Sequence, residues 1–156
     1  MAENDYTWKG VTEHRSFMKA LFTSKSSEIL HIEDDNIIII RFIGDISDEA
    51  YFEIWEQGLI LMVDHACIRM IMDQSLSGHV SYAARSKVVR EYVQQYKKKI
   101  DKNAKVGVLT SENEIHNAGV KYLVEIFRSQ TPFKIEFFNA ENDAIEWLIS
   151  DDNYPF

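Results

Sequence analysis

The chain has 156 residues, of which 46% are hydrophobic and 27% are charged, and its formal net charge at pH 7 is −8. This balance is typical of one globular domain and excludes a disordered or fibrous protein. The acidic charge argues against nucleic acid as a partner, because affinity for phosphate backbones depends on clustered Lys and Arg.

The sequence also predicts where the protein works. Its one cysteine, Cys67, excludes an internal disulfide framework and fits a reducing compartment. The first residues lack the basic and apolar regions of a secretion signal. The longest apolar run, residues 58–63, is much shorter than the about 20 residues that cross a bilayer. We therefore expect a cytoplasmic protein that does not insert into membranes.

The first elements with a clear pattern form a predicted β-hairpin. Residues 28–32 and the isoleucine-rich run 37–43 are strand candidates, and residues 33–36 between them have turn chemistry. A continuous β-branched run is typical of a central strand that is covered on both faces. We therefore expect residues 37–43 to lie in the middle of a sheet.

A helix and a second buried strand follow the hairpin. Ser47 can cap a helix, and apolar residues recur at helical spacing over residues 51–62. Residues 68–72 form a short apolar run that ends at Asp73 and predicts a strand. The order strand, helix, strand indicates a parallel pair joined by a crossover helix.

The rest of the chain continues this alternation. We expect a helix from near Ser81, a strand over 105–109, a helical stripe over 115–126, a strand over 133–138 and a last helix capped by Asn139. The sequence thus predicts an α/β fold with a mixed, mostly parallel sheet of about five strands, an N-terminal antiparallel hairpin and about four packed helices.

The predicted domain covers residues 28–149. Residues 1–27 form an N-terminal extension, in which the apolar residues of 17–22 are compatible with a short amphipathic helix. Residues 150–156 form a C-terminal tail.

Basic residues concentrate in one segment and leave the rest of the chain strongly acidic. A basic helix face could meet an acidic partner or phosphates, but a solvated face is the simpler interpretation of such a run. The basic residues are Arg85, Lys87, Arg90, Lys97, Lys98, Lys99, Lys102 and Lys105.

The element order resembles the STAS-like (SpoIIAA-like) domains, which include bacterial anti-sigma-factor antagonists. The counterparts in this sequence are residues 37–44, 48–51 and 70–73, the helix from about Ser81, and the closing segment 138–148. The resemblance covers roughly residues 28–149 and implies the SpoIIAA/STAS-like fold and a regulatory or protein-interaction role.

One departure from that family concerns its phosphorylated serine. The antagonists carry an Asp-Ser-Ser-Gly-like stretch at the start of the helix after the second buried strand, where a partner kinase phosphorylates a serine. Residues 78–83 of this sequence read Gly-His-Val-Ser-Tyr-Ala instead. Ser81 lies near the corresponding helix start, but the surrounding motif is missing, which argues against the same phospho-switch.

A candidate site lies at the carboxyl ends of the predicted parallel strands, where open α/β sheets bind ligands. Helix amino ends at this edge favour anions, so the site could bind a small anion or present a hydroxyl for phosphorylation. Capping of helices and turns is the simpler role for these residue types. The candidate ligand- or partner-binding residues are Asp73, Ser75, Ser77, Ser81, Tyr82, Thr110 and Ser111.

No motif predicts a catalytic residue, a cofactor or a metal. His65 and Cys67 are close in sequence, but two ligands fall short of the three or four that zinc needs. The sequence has no dinucleotide fingerprint, no Walker loop and no nucleophile elbow.

The leading functional hypothesis is therefore a non-enzymatic regulatory or protein-interaction module of STAS-like type, with a protein partner or a homodimer, and with a small anion as an additional ligand. The alternative is a carrier of an apolar or lipid-like ligand, suggested by the aromatic content and by a loose similarity to CRAL-TRIO domains. An enzyme that acts through Asp73 and neighbouring hydroxyls ranks last.

Overall fold

The computed structural model describes residues 18–111 and 114–150, without the side chains of residues 114–116. The described residues form six strands and five helices. In chain order these are β1 (Lys19–Ser24), β2 (Ser27–Ile32), β3 (Ile37–Gly44), α1 (Asp48–Asp64), β4 (Arg69–Ser77), α2 (Tyr82–Glu91), α3 (Val93–Lys99), β5 (Lys105–Leu109), α4 (Glu114–Gln130), β6 (Lys134–Phe138) and α5 (Glu141–Ile149).

The strands form a single six-stranded sheet in the order β1-β2-β3-β4-β5-β6. The pairs β1–β2 and β2–β3 are antiparallel, and the pairs β3–β4, β4–β5 and β5–β6 are parallel. This topology confirms the predicted α/β class, the mixed sheet and the antiparallel hairpin. It also adds one strand, β1, to the predicted sheet.

The prediction of a short helix around residues 17–22 is wrong for its described part. Lys19–Ser24 is strand β1, which pairs with β2 from Lys19 opposite His31 to Ser24 opposite Ser27. A short apolar stretch fits either period, and the unpaired backbone groups along the edge of β2 favour a strand here. Residues 18–27 of the expected extension therefore belong to the sheet, and residues 1–17 lie outside the described ranges.

The cap predicted at Ser47 is confirmed, and Ser81 caps the helix that was expected to begin near it. The Oγ atoms of Ser47 and Ser81 accept hydrogen bonds from the backbone N–H groups three residues later, at 3.2 and 3.0 Å. Asn139 does not cap α5, because the cap position is Ala140, which offers no side-chain acceptor. The single helix expected from Ser81 is divided into α2 and α3 at Tyr92. None of the helices in the described part of the chain combines the length and apolar composition that a bilayer crossing requires.

The central strand β3 is buried on both faces. Ile38 and Ile40 belong to the larger core, which the helices α1 to α4 cover, whereas Ile37 and Ile39 belong to a smaller core under α5. All four side chains are at most 2% exposed. This confirms the two-sided burial predicted from the isoleucine run. Because the middle of the sheet is covered on both faces, polar side chains emerge at its edges.

Candidate functional site

Asp73 lies inside strand β4, whereas the sequence predicted it at the carboxyl end of a shorter strand. β4 extends from Arg69 to Ser77, so most of the polar stretch after Asp73 is strand. In the register of the parallel pair, Asp73 lies opposite Arg41 of β3. The candidate site is therefore built on two neighbouring strands.

Arg41 is the centre of an ion-pair cluster that the sequence did not reveal. Its Nε lies 3.1 Å from Asp73 Oδ2, its Nη2 lies 2.7 Å from Glu141 Oε1, and its Nη1 lies 3.8 Å from Glu28 Oε2. The other oxygen of Asp73, Oδ1, accepts hydrogen bonds from the Ser75 N–H at 2.9 Å and the Ser75 hydroxyl at 2.6 Å. Both oxygens of Asp73 are thus engaged within the fold.

The electrostatics of this cluster favour a structural role. Burial works to lower the pKa of Arg41, but the ion pairs with Glu141 and Asp73 raise it above its ordinary value. Burial raises the pKa of Glu141, the nearby Arg41 charge opposes that shift, and Asp73 adds to it. Three carboxylates surround one guanidinium, so the cluster is negative and repels an anion.

The loop between β4 and α2 is held firmly against the end of β3. The Gly78 N–H donates to the Gly44 carbonyl at 2.7 Å, and the His79 N–H donates to Asp45 Oδ1 at 2.7 Å. The His79 carbonyl accepts from the Ile46 N–H at 3.0 Å. A Cβ at position 78 would clash with the Asp45 carboxylate and lie 3.1 Å from the Gly44 backbone, so this approach requires glycine.

The predicted serines fill several structural roles around this loop. The Ser81 hydroxyl donates to Asp48 Oδ1 at 2.8 Å while it caps α2. The Ser77 Oγ is buried and has no hydrogen-bond partner among the described residues. After β5, Thr110 and Ser111 are half-buried, and the Ser111 backbone is bonded to the Asn117 side chain of α4. The fold thus brings Asp73 and Ser75 into contact, whereas Ser111 bonds to α4.

Two large apolar side chains are exposed on either side of the same loop. Leu76, at the end of β4, is 60% exposed, and Tyr82, at the start of α2, is 75% exposed. The sequence analysis selected Tyr82 but not Leu76, because Leu76 is a single apolar residue in a polar stretch of the sequence. We call Leu76, Tyr82 and the intervening loop residues 78–81 the loop surface.

The predicted basic helix face is interrupted in the structure. Arg85 is buried, and its Nη1 donates to the Val80 carbonyl at 3.3 Å. The Lys87 Nζ lies over the Phe52 ring, 4.2 Å from its centroid. Two further basic residues of this segment, Lys102 and Lys105, line a cleft at the opposite edge of the sheet.

His65 and Cys67 take part in a structural network at that opposite edge. The His65 ring lies 4.4 Å from the His31 ring, and the His65 carbonyl accepts from Asn36 Nδ2 at 3.0 Å. The Cys67 Sγ lies 3.1 Å from the carbonyl oxygens of both Asn36 and Arg69, which share its one thiol proton as acceptors. Over residues 18–111 and 114–150, no three His, Cys, Asp or Glu side chains are grouped so that they could hold a metal ion.

We expect the thiol of Cys67 to be unreactive in the folded protein. Burial raises the pKa of Cys67, although hydrogen bonds from the Arg69 and Ile38 backbone oppose the shift, so little thiolate forms near neutral pH. Labelling with a chromogenic disulfide at mildly alkaline pH should be on the order of 100-fold slower than in guanidinium chloride. Cys67→Ser supplies the background, and rapid native labelling would contradict the buried position.

An apolar cavity of about 30 Å³ lies in the larger core. Trp55 and Phe127 line it, and their stacked rings lie 5.6 Å apart. The Tyr96 hydroxyl, which lies beside them, donates to the Trp55 carbonyl at 2.6 Å. A water molecule needs a cavity of roughly 10–15 Å³ by the same measure, so this space is far too small for an acyl chain. The aromatic residues pack the core and give the lipid-carrier alternative no support.

Comparison with solved structures places this architecture among known folds. An uncharacterized DUF3478-family protein from Shewanella loihica PV-4, described as having a SpoIIAA-like fold, matches with a TM-score of 0.52 and 18% sequence identity over 81% of this chain and 98% of that chain. The chain has a SpoIIAA-like fold. No family model matches the sequence, and no curated protein matches it significantly. At this identity the SpoIIAA-like likeness confirms the predicted fold and carries no function with it.

Proposed function

We propose that this chain is a non-enzymatic regulatory module of STAS-like type that binds a partner protein through the loop surface. The observation that carries the proposal is the exposure of Tyr82 and Leu76, at 75% and 60%, beside a loop anchored by hydrogen bonds. The SpoIIAA-like fold is compatible with a module of this class. A single reduced cysteine, Cys67, fits work in the cytoplasm.

The loop surface has the chemistry of a protein contact. Tyrosine is enriched at interfaces because its ring provides large apolar area and its hydroxyl a hydrogen bond, at a small cost in conformational entropy. The backbone hydrogen bonds at Gly78 and His79 hold the loop in place before any partner arrives. A preorganised surface loses less entropy when it binds.

Charge around the loop surface indicates what kind of partner would fit. Asp45, Asp48 and Glu49 are exposed on the α1 side of the loop. A complementary partner would offer an apolar socket for Tyr82 with basic groups at its rim.

The engaged state of Asp73 supports a non-enzymatic role. A general base must reach a substrate proton, but both oxygens of this carboxylate are bonded to Arg41 and Ser75. The Ser81 hydroxyl is likewise committed to Asp48 and to the start of α2. A phosphate on Ser81 would face the Asp48 carboxylate and would be repelled by it.

Site-specific photo-crosslinking tests the loop surface. A benzophenone amino acid at position 82 should give a crosslinked adduct with a partner in the source cells, and the same amino acid at Tyr122, which is 42% exposed on α4, should not. Leu76→Ala should weaken the adduct at position 82 by about tenfold, since an anchor residue contributes on the order of 1–2 kcal/mol.

Three outcomes of this experiment are informative. Identical adducts from positions 82 and 122 would overturn the proposal, because they would show contact without a preferred surface. Adducts between two copies of the chain at position 82 would identify a homodimer as the bound state. Sedimentation velocity should then show a dimer. Adducts at neither position, in cells that express the protein at natural levels, would also overturn it.

A further inference from the structure

A cleft of about 540 Å³ lies at the opposite edge of the sheet from the loop surface. Strands β4, β5 and β6 run parallel, so their first residues, Arg69, Lys105 and Lys134, meet at this edge. Lys102 approaches from the turn before β5, and Leu148 and Ser150 close the cleft from the end of α5.

The described charged residues that line the cleft are basic, in a chain that is acidic overall. Four of its described lining residues, Arg69, Lys102, Lys105 and Lys134, are cations, and no Asp or Glu is among the described residues that line it. The whole chain carries a formal charge of −8. The nearby Asp101 carboxylate accepts from the Asn103 N–H at 2.7 Å and caps the turn.

Two of these cations are held by hydrogen bonds, and two are exposed at the mouth of the cleft. The Lys105 Nζ donates to the Trp147 carbonyl at 2.6 Å and to the Ser150 Oγ at 3.2 Å, and the residue is only 5% exposed. Arg69 Nη1 donates to the Asp35 carbonyl at 2.7 Å. Lys102 and Lys134 are exposed at the rim of the cleft. A recessed site thus combines a fixed positive floor with exposed cations at its rim.

We propose that this basic cleft binds a small soluble molecule that carries a phosphate-type group with at least two negative charges. Lys and Arg are the side chains that bind phosphate oxygens in proteins, through charge-assisted hydrogen bonds. The volume lies within the range of ligand pockets, roughly 300–1,000 Å³. The apolar side chains of Ile68 and Leu148 supply a wall for the rest of such a molecule. The inference is independent of the loop surface.

Inorganic pyrophosphate is the probe that tests the cleft. Titration of the full chain at low ionic strength should give a dissociation constant below about 1 mM by calorimetry. The affinity should fall as salt is added, since exposed charges are screened. The Lys105 Nζ lies 4.5 Å from the centroid of the Trp147 ring, so binding should also change Trp147 fluorescence. Trp147→Phe should remove the optical signal and keep the calorimetric one.

Matched lysine variants locate the binding. Lys102→Gln and Lys134→Gln should each weaken pyrophosphate binding about tenfold, because each removes one charge-assisted contact. Lys98→Gln removes the same charge from an exposed position on α3 outside the cleft, and it should change the affinity by less than about twofold. Unchanged circular dichroism would show that these exposed substitutions keep the fold.

Each of the following results would overturn the proposal. The first is no binding at low ionic strength, and the second is an equal loss of affinity in all three variants, which would indicate a diffuse charge effect. Preference for phosphatidylserine vesicles over pyrophosphate would indicate a lipid surface as the ligand. Binding that appears only after Asp151→Asn and Asp152→Asn, at the two residues that follow Ser150, would show that the cleft of the natural chain does not accept the ligand.

Discussion

Alanine at Ile39 and alanine at Ile40 should each lower the free energy of unfolding by about 2–5 kcal/mol. The two residues are neighbours on β3, and their side chains point to opposite faces of the sheet. Ile39 is buried in the smaller core with Ile145 of α5, whereas Ile40 is buried in the larger core with Trp55 of α1. They are 0% and 2% exposed, so each truncation leaves a cavity that neighbouring side chains fill only in part.

Urea unfolding followed by circular dichroism measures both effects. Ile60→Ala, at a position 42% exposed on α1, is the matched control and should cost less than about 1 kcal/mol. The milder pair Ile39→Val and Ile40→Val should add in the double variant, because the two side chains contact different cores. A large effect at only one of the two positions would show that one face of the sheet is open, and the architecture would be wrong.

This isoleucine run also explains how much of the fold the sequence could reveal. Four consecutive β-branched residues are costly on any exposed element, so residues 37–40 had to lie in a two-sided core. Strand β1 could not be found in the same way. Its six residues carry no alternation of their own, and they are ordered by pairing with β2. The helix expected there was wrong for that reason.

The candidate sites show the same contrast between local sequence pattern and long-range contact. Asp73 and Ser81 were found because each occupies a position that local pattern defines, at a strand and at a helix start. The ion pairs of Arg41 were not found, because its partners Asp73 and Glu141 lie 32 and 100 residues away in the sequence. No local period encodes such a contact.

The basic cleft did leave a signal in the sequence. Of the four parallel strands, the last three, β4, β5 and β6, each begin with a cation, Arg69, Lys105 or Lys134. Because parallel strands start at one edge, three such residues must lie near one another once the parallel order is known. Only the extent of the cleft and the contribution of Lys102 required the structure.

Arg41→Met should lower the free energy of unfolding at neutral pH by about 2–4 kcal/mol. Methionine keeps most of the volume of the arginine stem, so the effect comes from the lost charge. Without Arg41, the carboxylates of Asp73 and Glu141 remain in the cluster with no guanidinium between them; their side chains are 6% and 24% exposed. The cost is below that of a fully buried pair because Glu141 and Arg41 keep some contact with solvent.

The pH dependence of the Arg41→Met variant has a definite sign. Burial already raises the pKa of Glu141, and the variant removes the Arg41 charge that opposes this shift. A carboxyl whose pKa is raised in the folded state binds more protons there than in the unfolded state, so stability falls as pH rises through that range. The destabilisation should therefore be smaller at about pH 5 than at about pH 7, because the ordinary pKa of Glu is about 4.3.

Urea unfolding at both pH values checks this, with Arg90→Met as the matched control. Arg90 is exposed on α2, where its Nη1 donates to the Ser86 hydroxyl at 3.3 Å. Its loss should change stability by less than about 0.5 kcal/mol at either pH. Adding Glu141→Gln to Arg41→Met should recover part of the lost stability, since it removes one of the uncompensated charges. A variant that is as stable as the natural protein at neutral pH, or that loses more stability in acid, would show that Arg41 does not hold these strands and α5 together through charge.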